Sequence, residues 1–150
     1  MIYLDNAATS WPKPESVYKE MDQFIRKYGA NPGRAGHQMA AEAGRRIYDV
    51  REKLADFFGA NDSTEIIFTS SATHSLNLGI KGVIEKGDHV ITSCLEHNSV
   101  IRPLKELERN QIIDLTVIGL NSSGQINFDA LKKKTNDNTS LIAITYGSNV

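Results

Sequence analysis

Apolar residues recur along this chain at two spacings, and the spacings alternate. Val17, Met21, Phe24, Ile25 and Tyr28 step by three and four residues, which predicts a helix that opens near Pro14 and closes at Gly29. Proline is tolerated in a first turn, where its missing N–H would have had no partner. A longer helical stripe follows through Ala40, Ala43, Ile47, Val50, Leu54 and Phe57. Arg45, Arg46, Arg51, Glu52 and Lys53 mostly face away from it, and Gly59 stops it. This helix is expected to pack across much of the core. Beyond it the apolar positions form short continuous runs at 66–68, 89–92, 115–118 and 141–145, which predict four strands. Helical spacing returns between them, first at Leu76, Ile80, Val83 and Ile84. It returns again at Val100, Ile101, Leu104 and Leu107, with Pro103 expected within the first turn or so. A short helix with Phe128 and Leu131 is capped by Asn127. Strands without polar alternation, separated by helices, predict the α/β class: a mainly parallel sheet with helices on both faces.

Polar positions collect where strands end. Thr69, Ser70, Ser71, Ala72 and Thr73 lead from the first strand into the next helix. Such a turn aims free backbone N–H groups at one spot, and the helix end adds about half a positive charge there. That suits a phosphate group. A plain helix cap accounts for the same residues equally well. In an open parallel sheet, ligands sit beyond the carboxyl ends of the strands. Two further ends carry polar clusters, Glu96-His97-Asn98 and Ser148-Asn149, whereas Gly119-Leu120 is bland. A phosphate cradle, an imidazole and an amide on neighbouring strand ends would suit a phosphorylated ring ligand. The imidazole can stack on the ring or move a proton, and the amide can hydrogen-bond a ring oxygen. No Gly-x-Gly-x-x-Gly follows a strand and no Gly-x-x-x-x-Gly-Lys-Ser/Thr occurs, which favours a small phosphate cofactor over a nucleotide.

The remaining candidate chemistry is thinner. His37, His74, His89, His97 and Cys94 show no metal-ligand spacing, so no metal is expected. His74 reads as a surface or capping residue and His89 as structural. Cys94 reads as a small buried side chain that lies close to the proposed site. The loop Asn31-Pro32-Gly33-Arg34-Ala35-Gly36-His37 holds two groups able to handle anions or protons, Arg34 and His37; an exposed turn with incidental charges fits it as well. With 150 residues and a net charge of −1, the chain lacks the basic footprint of a nucleic-acid or anionic-membrane binder. Lys132-Lys133-Lys134 reads as a solvated helix face. No apolar run has the length of a membrane span, and the N-terminus lacks a signal-peptide core. The single cysteine excludes an internal disulfide and fits a cytoplasmic location.

Five motifs then occur in one order. They are Tyr3-Leu4-Asp5-Asn6-Ala7-Ala8-Thr9, the 31–37 loop, Phe68-Thr69-Ser70-Ser71-Ala72-Thr73, Glu96-His97-Asn98-Ser99 and Ser148-Asn149-Val150. In this order and spacing the chain resembles the class V, fold-type I, pyridoxal-phosphate (PLP) enzymes, most closely the cysteine desulfurase and selenocysteine lyase group. The resemblance implies PLP as cofactor. It implies that Ala72 and Thr73 bind the cofactor phosphate, that His97 stacks on the pyridine ring and helps move protons, and that Asn149 contacts the ring 3-oxygen. Asn31, Arg34 and His37 would lie on the substrate side, and Ala7 and Ala8 would line the entrance. Ser71 departs from the Gly or Cys of many relatives.

The family's Schiff-base lysine lies beyond the Ser-Asn-Val motif. The chain is therefore expected to be an N-terminal portion: residues 1–14 an arm, and 15–150 part of the PLP-binding large domain. Its sheet is expected to be incomplete, because in relatives other strands lie between the 66–68 strand and the rest. The implied activity is removal of sulfur or selenium from cysteine or selenocysteine to give alanine. A class V aminotransferase or another PLP lyase is the alternative, as is an inactive segment needing a complementary chain. The resemblance also implies a homodimer, an amino-acid substrate and a sulfur-acceptor protein.

Overall fold

The structure is a computed structural model that describes residues 2–6, 8–33 and 36–148. The chain forms two compact units, Met1–Phe68 and Thr69–Val150.

The first unit carries two helices, α1 (Glu15–Tyr28) and α2 (Gln38–Phe58). Ahead of α1 the chain loops back on itself rather than running straight. The Tyr3 hydroxyl donates to the carbonyls of Asp5 and Thr9, and Trp11 N–H donates to Asn6 Oδ1. Pro14 stands at the N-cap of α1, as its fixed φ allows. Gly59 closes α2 at φ 69°, a left-handed position from which its N–H donates to the Ala55 and Asp56 carbonyls. The apolar stripe of α1 is not buried: none of its residues is. On α2 only Ala40, Ala43 and Ala55 are buried, so that helix does not cross a large core as its periodicity suggested. Below α2, Asp62 caps a 3-10 turn at Ser63–Glu65. Thr64 holds the Asp62 carboxyl below its usual range, through its side chain first and then its amide, which donates across 2.7 Å.

The second unit is the α/β part. Its elements are α3 (Ala72–Val83), β1 (Asp88–Ser93), α4 (Asn98–Arg109), β2 (Ile113–Ile118), α5 (Phe128–Lys134) and β3 (Thr139–Ala143). The sheet is parallel with order β2-β1-β3. Val90 pairs with Leu115 on one side and Leu141 on the other. β1 is central and buried along nearly its whole length: Val90 and Ile91 are fully covered, and so are its polar residues Thr92 and Ser93. The core gathers Ile80, Val90, Val100, Leu104 and Ile113, with Ile84, Leu107 and Leu141 against it. Asn127 caps α5 by accepting from Ala130 N–H at 2.9 Å, as the sequence predicts. The expected strand at 66–68 forms no ladder with the three described strands. Ile66 is extended, at φ −93° and ψ 115°, but has no strand beside it.

His89 is buried at the start of β1 and is structural. Its Nε2 lies 2.9 Å from Thr116 Oγ1 on β2, and its Nδ1 lies 2.7 Å from Thr139 Oγ1 on β3. Asn136 Nδ2, which can only donate, lies 3.4 Å from Nδ1, so Nδ1 accepts and the ring proton is assigned to Nε2. One imidazole thus ties the central strand to both neighbours. We expect His89→Leu to cost about 1–3 kcal/mol, because it strands two part-buried hydroxyls. Urea denaturation followed by circular dichroism measures this, and an unchanged midpoint would refute the clamp.

Candidate active site

The start of α3 is a helix cap that leaves two backbone amides open. Ser71 is the N-cap, with extended backbone, and its Oγ accepts from His74 N–H at 3.2 Å. Its carbonyl accepts from Ser75 N–H at 3.0 Å. The rim is braced locally: Thr69 Oγ1 donates to the Ser71 carbonyl, and Ser70 Oγ meets His74 Nδ1 at 3.2 Å. His74 is therefore a rim residue on the first turn of α3. Among the described residues, nothing accepts from Ala72 N–H or Thr73 N–H. Two exposed amides at a helix N-terminus, framed by a capping serine, fit a phosphate group.

The start of α4 carries the imidazole. His97 is its N-cap, and the capping atom is the ring nitrogen Nδ1. Nδ1 accepts from Ser99 N–H at 3.1 Å and lies 2.8 Å from Ser99 Oγ. A nitrogen that accepts from an amide carries no proton, so the network assigns the ring proton to Nε2. His97 as a whole is exposed. Ser99 is buried, and its Oγ lies 2.9 Å from Thr73 Oγ1 on α3. The two residues that the sequence pairs as phosphate holder and ring partner, Thr73 and His97, are thus joined through one hydroxyl.

A proline explains a second stitch. Pro103 sits beyond the first turn of α4, one step further in than expected, and cannot donate to the Ser99 carbonyl. Asn77 Nδ2 on α3 donates to that carbonyl at 3.4 Å and to the Thr73 carbonyl at 2.9 Å. The depression bounded by Thr73, Asn77, His97 and Ser99 is open, with a volume of about 610 Å³.

Behind it, one Glu96 carboxylate oxygen fastens two strand ends. It accepts from Ser93 Oγ at 2.6 Å and from Thr145 N–H at 2.8 Å, fixing the loop that presents His97. Ser148 Oγ donates to the Leu95 carbonyl at 3.1 Å, so the segment after β3 is held against the same loop. The sequence marks Glu96 only as part of a polar cluster. An acid flanked by two strand ends, three residues after a serine, was the available signal. Cys94 corrects the expectation of a buried thiol: it is exposed, and only its N–H continues the sheet, to the Ile118 carbonyl at 2.9 Å.

In the first unit, Asn31 and His37 already have local tasks. Asn31 Oδ1 accepts from Gly33 N–H at 2.9 Å, and His37 caps α2 by accepting from Ala40 N–H at Nδ1, 3.2 Å away. Ala8 is exposed in a turn, its N–H donating to the Asp5 carbonyl. Ala7, Arg34 and Asn149 lie outside the described residues. Among the described residues, no group of three or more His, Cys, Asp or Glu side chains is placed to hold a metal ion. No helix among them is long and apolar enough to cross a membrane.

Comparison with known proteins extends this picture. The chain is 39% identical to the cysteine desulfurase IscS of Dictyoglomus turgidum, over 99% of this chain and 38% of that protein. It therefore spans less than two fifths of that relative's length. Among solved structures, a NifS-like protein superposes with a TM-score of 0.88 at 32% identity, covering 99% of this chain and 40% of that one. SspA, solved in complex with cysteine, superposes with a TM-score of 0.86 at 35% identity, covering 99% and 43%. The family model for aminotransferase class-V matches residues 2–150. The chain therefore belongs to the class-V aminotransferase family.

Proposed function

We propose that the chain is the N-terminal portion of a pyridoxal-phosphate-dependent cysteine desulfurase or selenocysteine lyase. One observation carries the reading: the open amides of Ala72 and Thr73 and the exposed His97 belong to one hydrogen-bonded unit through Ser99. Similarity to cysteine desulfurases supports the reaction class.

In this reading Ala72 and Thr73 hold the cofactor phosphate through their N–H groups, with the α3 dipole behind them. His97 offers a flat ring surface and an N–H donor at Nε2, while Nδ1 stays committed to the cap. Bound there, pyridoxal phosphate supplies an electron sink for cleavage at the amino-acid substrate. The exposure of His97 is compatible with a ring stacked on it. Asn149 is assigned to the ring 3-oxygen on family resemblance alone. The same holds for Ala7, Ala8, Asn31, Arg34 and His37 on the substrate side, and for the division into an arm, 1–14, and a large-domain segment, 15–150. A homodimer, a sulfur-acceptor protein and a cytoplasmic location belong to the same proposal.

The test uses a chain of the relatives' length, supplied with cysteine and a thiol reductant. Alanine and sulfide are expected in equal amounts, and His97→Ala is expected to lower kcat about 10²- to 10⁴-fold. An unchanged rate would remove His97 from the mechanism. Amino-group exchange without sulfide would favour the aminotransferase alternative.

A second reading rests on the exposed apolar side chains of the first unit, such as Phe57, Phe58 and Ile67. Under it the 150 residues are inactive until a complementary chain covers these faces.

A further inference from the structure

We propose that Ser99 is a positioning residue: a buried hydroxyl switch that couples a proton on His97 to the hydrogen-bonding capacity of Thr73 at the phosphate cradle. The inference rests on reading the start of α3 as that cradle.

His97 Nδ1 accepts from Ser99 N–H, so the Ser99 O–H, 2.8 Å away, also donates to it. Ser99 Oγ has then spent its one proton, and the contact with Thr73 Oγ1 at 2.9 Å must be a donation from Thr73. The chain runs Thr73 O–H to Ser99 Oγ, and Ser99 O–H to His97 Nδ1. In this state the Thr73 hydroxyl faces inward and offers an outside anion only lone pairs.

A neutral ring with its proton on Nε2 can gain a second proton only at Nδ1. When it does, the hydroxyl chain reverses, because the buried Ser99 O–H has lost Nδ1 as its acceptor. Nδ1–H donates to Ser99 Oγ, the Ser99 O–H turns to Thr73 Oγ1, and the Thr73 O–H is released. No bond to carbon changes, and one proton is gained at Nδ1. The Ser99 N–H loses its acceptor, but the hydroxyl has a partner in both states. An alanine at 99 would leave Nδ1–H without one. By linkage, an anion that prefers a donating Thr73 favours the protonated ring, and the protonated ring favours the anion.

Two features make Ser99 the coupling residue and not a bystander. The residue is buried, at 6% exposure, which keeps water from standing in for either partner. Its carbonyl, left open by Pro103, is pinned to α3 by Asn77. The charged groups around the depression are Arg102, Lys105, Glu106 and Arg109, all on α4. Glu106 lies 3.5 Å from Lys81 of α3, and Lys105 lies 2.8 Å from Glu108. From α3 the lining residues are Thr73 and Asn77, both uncharged. On the strand side Glu96 is engaged by Ser93 and Thr145.

The experiment is a titration of the 150-residue chain with inorganic phosphate against chloride of equal ionic strength, near pH 6.5, followed by ¹⁵N NMR of backbone amides and histidine rings. Phosphate is expected to shift the Ala72 and Thr73 amides and, in parallel, to move the His97 ring nitrogens toward the imidazolium positions. Ser99→Ala is expected to keep the amide response and lose at least half of the ring response. Ser99→Thr, which retains the hydroxyl, is expected to restore it. Amide shifts with a silent ring, or a ring response undiminished in Ser99→Ala, would overturn the coupling while leaving the cradle. Absent amide shifts would overturn the cradle itself, and the coupling with it.

Discussion

Leu104→Ala is expected to lower the stability of the Thr69–Val150 unit by about 2–5 kcal/mol. Leu104 is fully buried, at 0% exposure, and belongs to the cluster of Ile80, Val90, Val100 and Ile113. It lies on the face of α4 that covers the sheet, one residue past Pro103. Alanine there removes transfer free energy and leaves a cavity that a close-packed cluster fills only in part. Domains of this size hold about 5–15 kcal/mol in total, so this one change consumes a large fraction. The consequence reaches the site, because α4 carries both His97 and Ser99 at its start. Urea denaturation read by circular dichroism gives the loss, with Leu104→Met as the volume-conserving control at under about 1.5 kcal/mol. A loss below about 1 kcal/mol for the alanine variant would mean that α4 is not seated as described.

Ala72→Pro is expected to weaken binding of pyridoxamine 5′-phosphate about 10- to 150-fold without lowering stability. Ala72 is the first residue of α3, where proline is accepted because its N–H has no helical partner. Ser71 before it is extended, at φ −168° and ψ 161°, the conformation a residue preceding proline prefers. The substitution therefore deletes one of the two open amides and little else. A hydrogen bond to a charged group contributes about 1.5–3 kcal/mol, which sets the expected range. Calorimetric titration reads the affinity, and thermal denaturation of the same sample reads the fold. Unchanged affinity would mean that this amide does not serve the phosphate.

The α/β architecture was legible because the buried central strand β1 puts Val90 and Ile91 side by side without polar alternation. Helix ends were legible where a single residue decides them, as with Asn127 before α5 and Gly59 after α2. What covers an apolar face was not legible. The stripe of α1 has helical spacing, yet Met21 and Ile25 remain exposed. Ile66 in the 66–68 run is extended without a ladder, in keeping with the incomplete sheet that the resemblance implies. The last strand was expected at 141–145 and lies at Thr139–Ala143. Its end is set by Glu96, which takes the Thr145 N–H that a ladder would otherwise use.

The candidate site divides along the same line. Ser70 to Thr73 could be marked from sequence because hydroxyls before a helix have a local meaning. The tie from Thr73 through Ser99 to His97 could not, since Thr73 and Ser99 are 26 positions apart and meet only when α3 packs on α4. His97 and His37 share a task that the sequence did not separate from chemistry: each caps a helix through Nδ1.

The central claim is that the start of α3 is built for the phosphate of a pyridoxal cofactor. The most direct measurement is the affinity of this chain for pyridoxamine 5′-phosphate and for pyridoxamine, which differ only in that group. The account predicts that the phosphate ester binds at least about 10-fold more tightly, in line with one charged hydrogen bond or more. Equal affinities for the two compounds would contradict it.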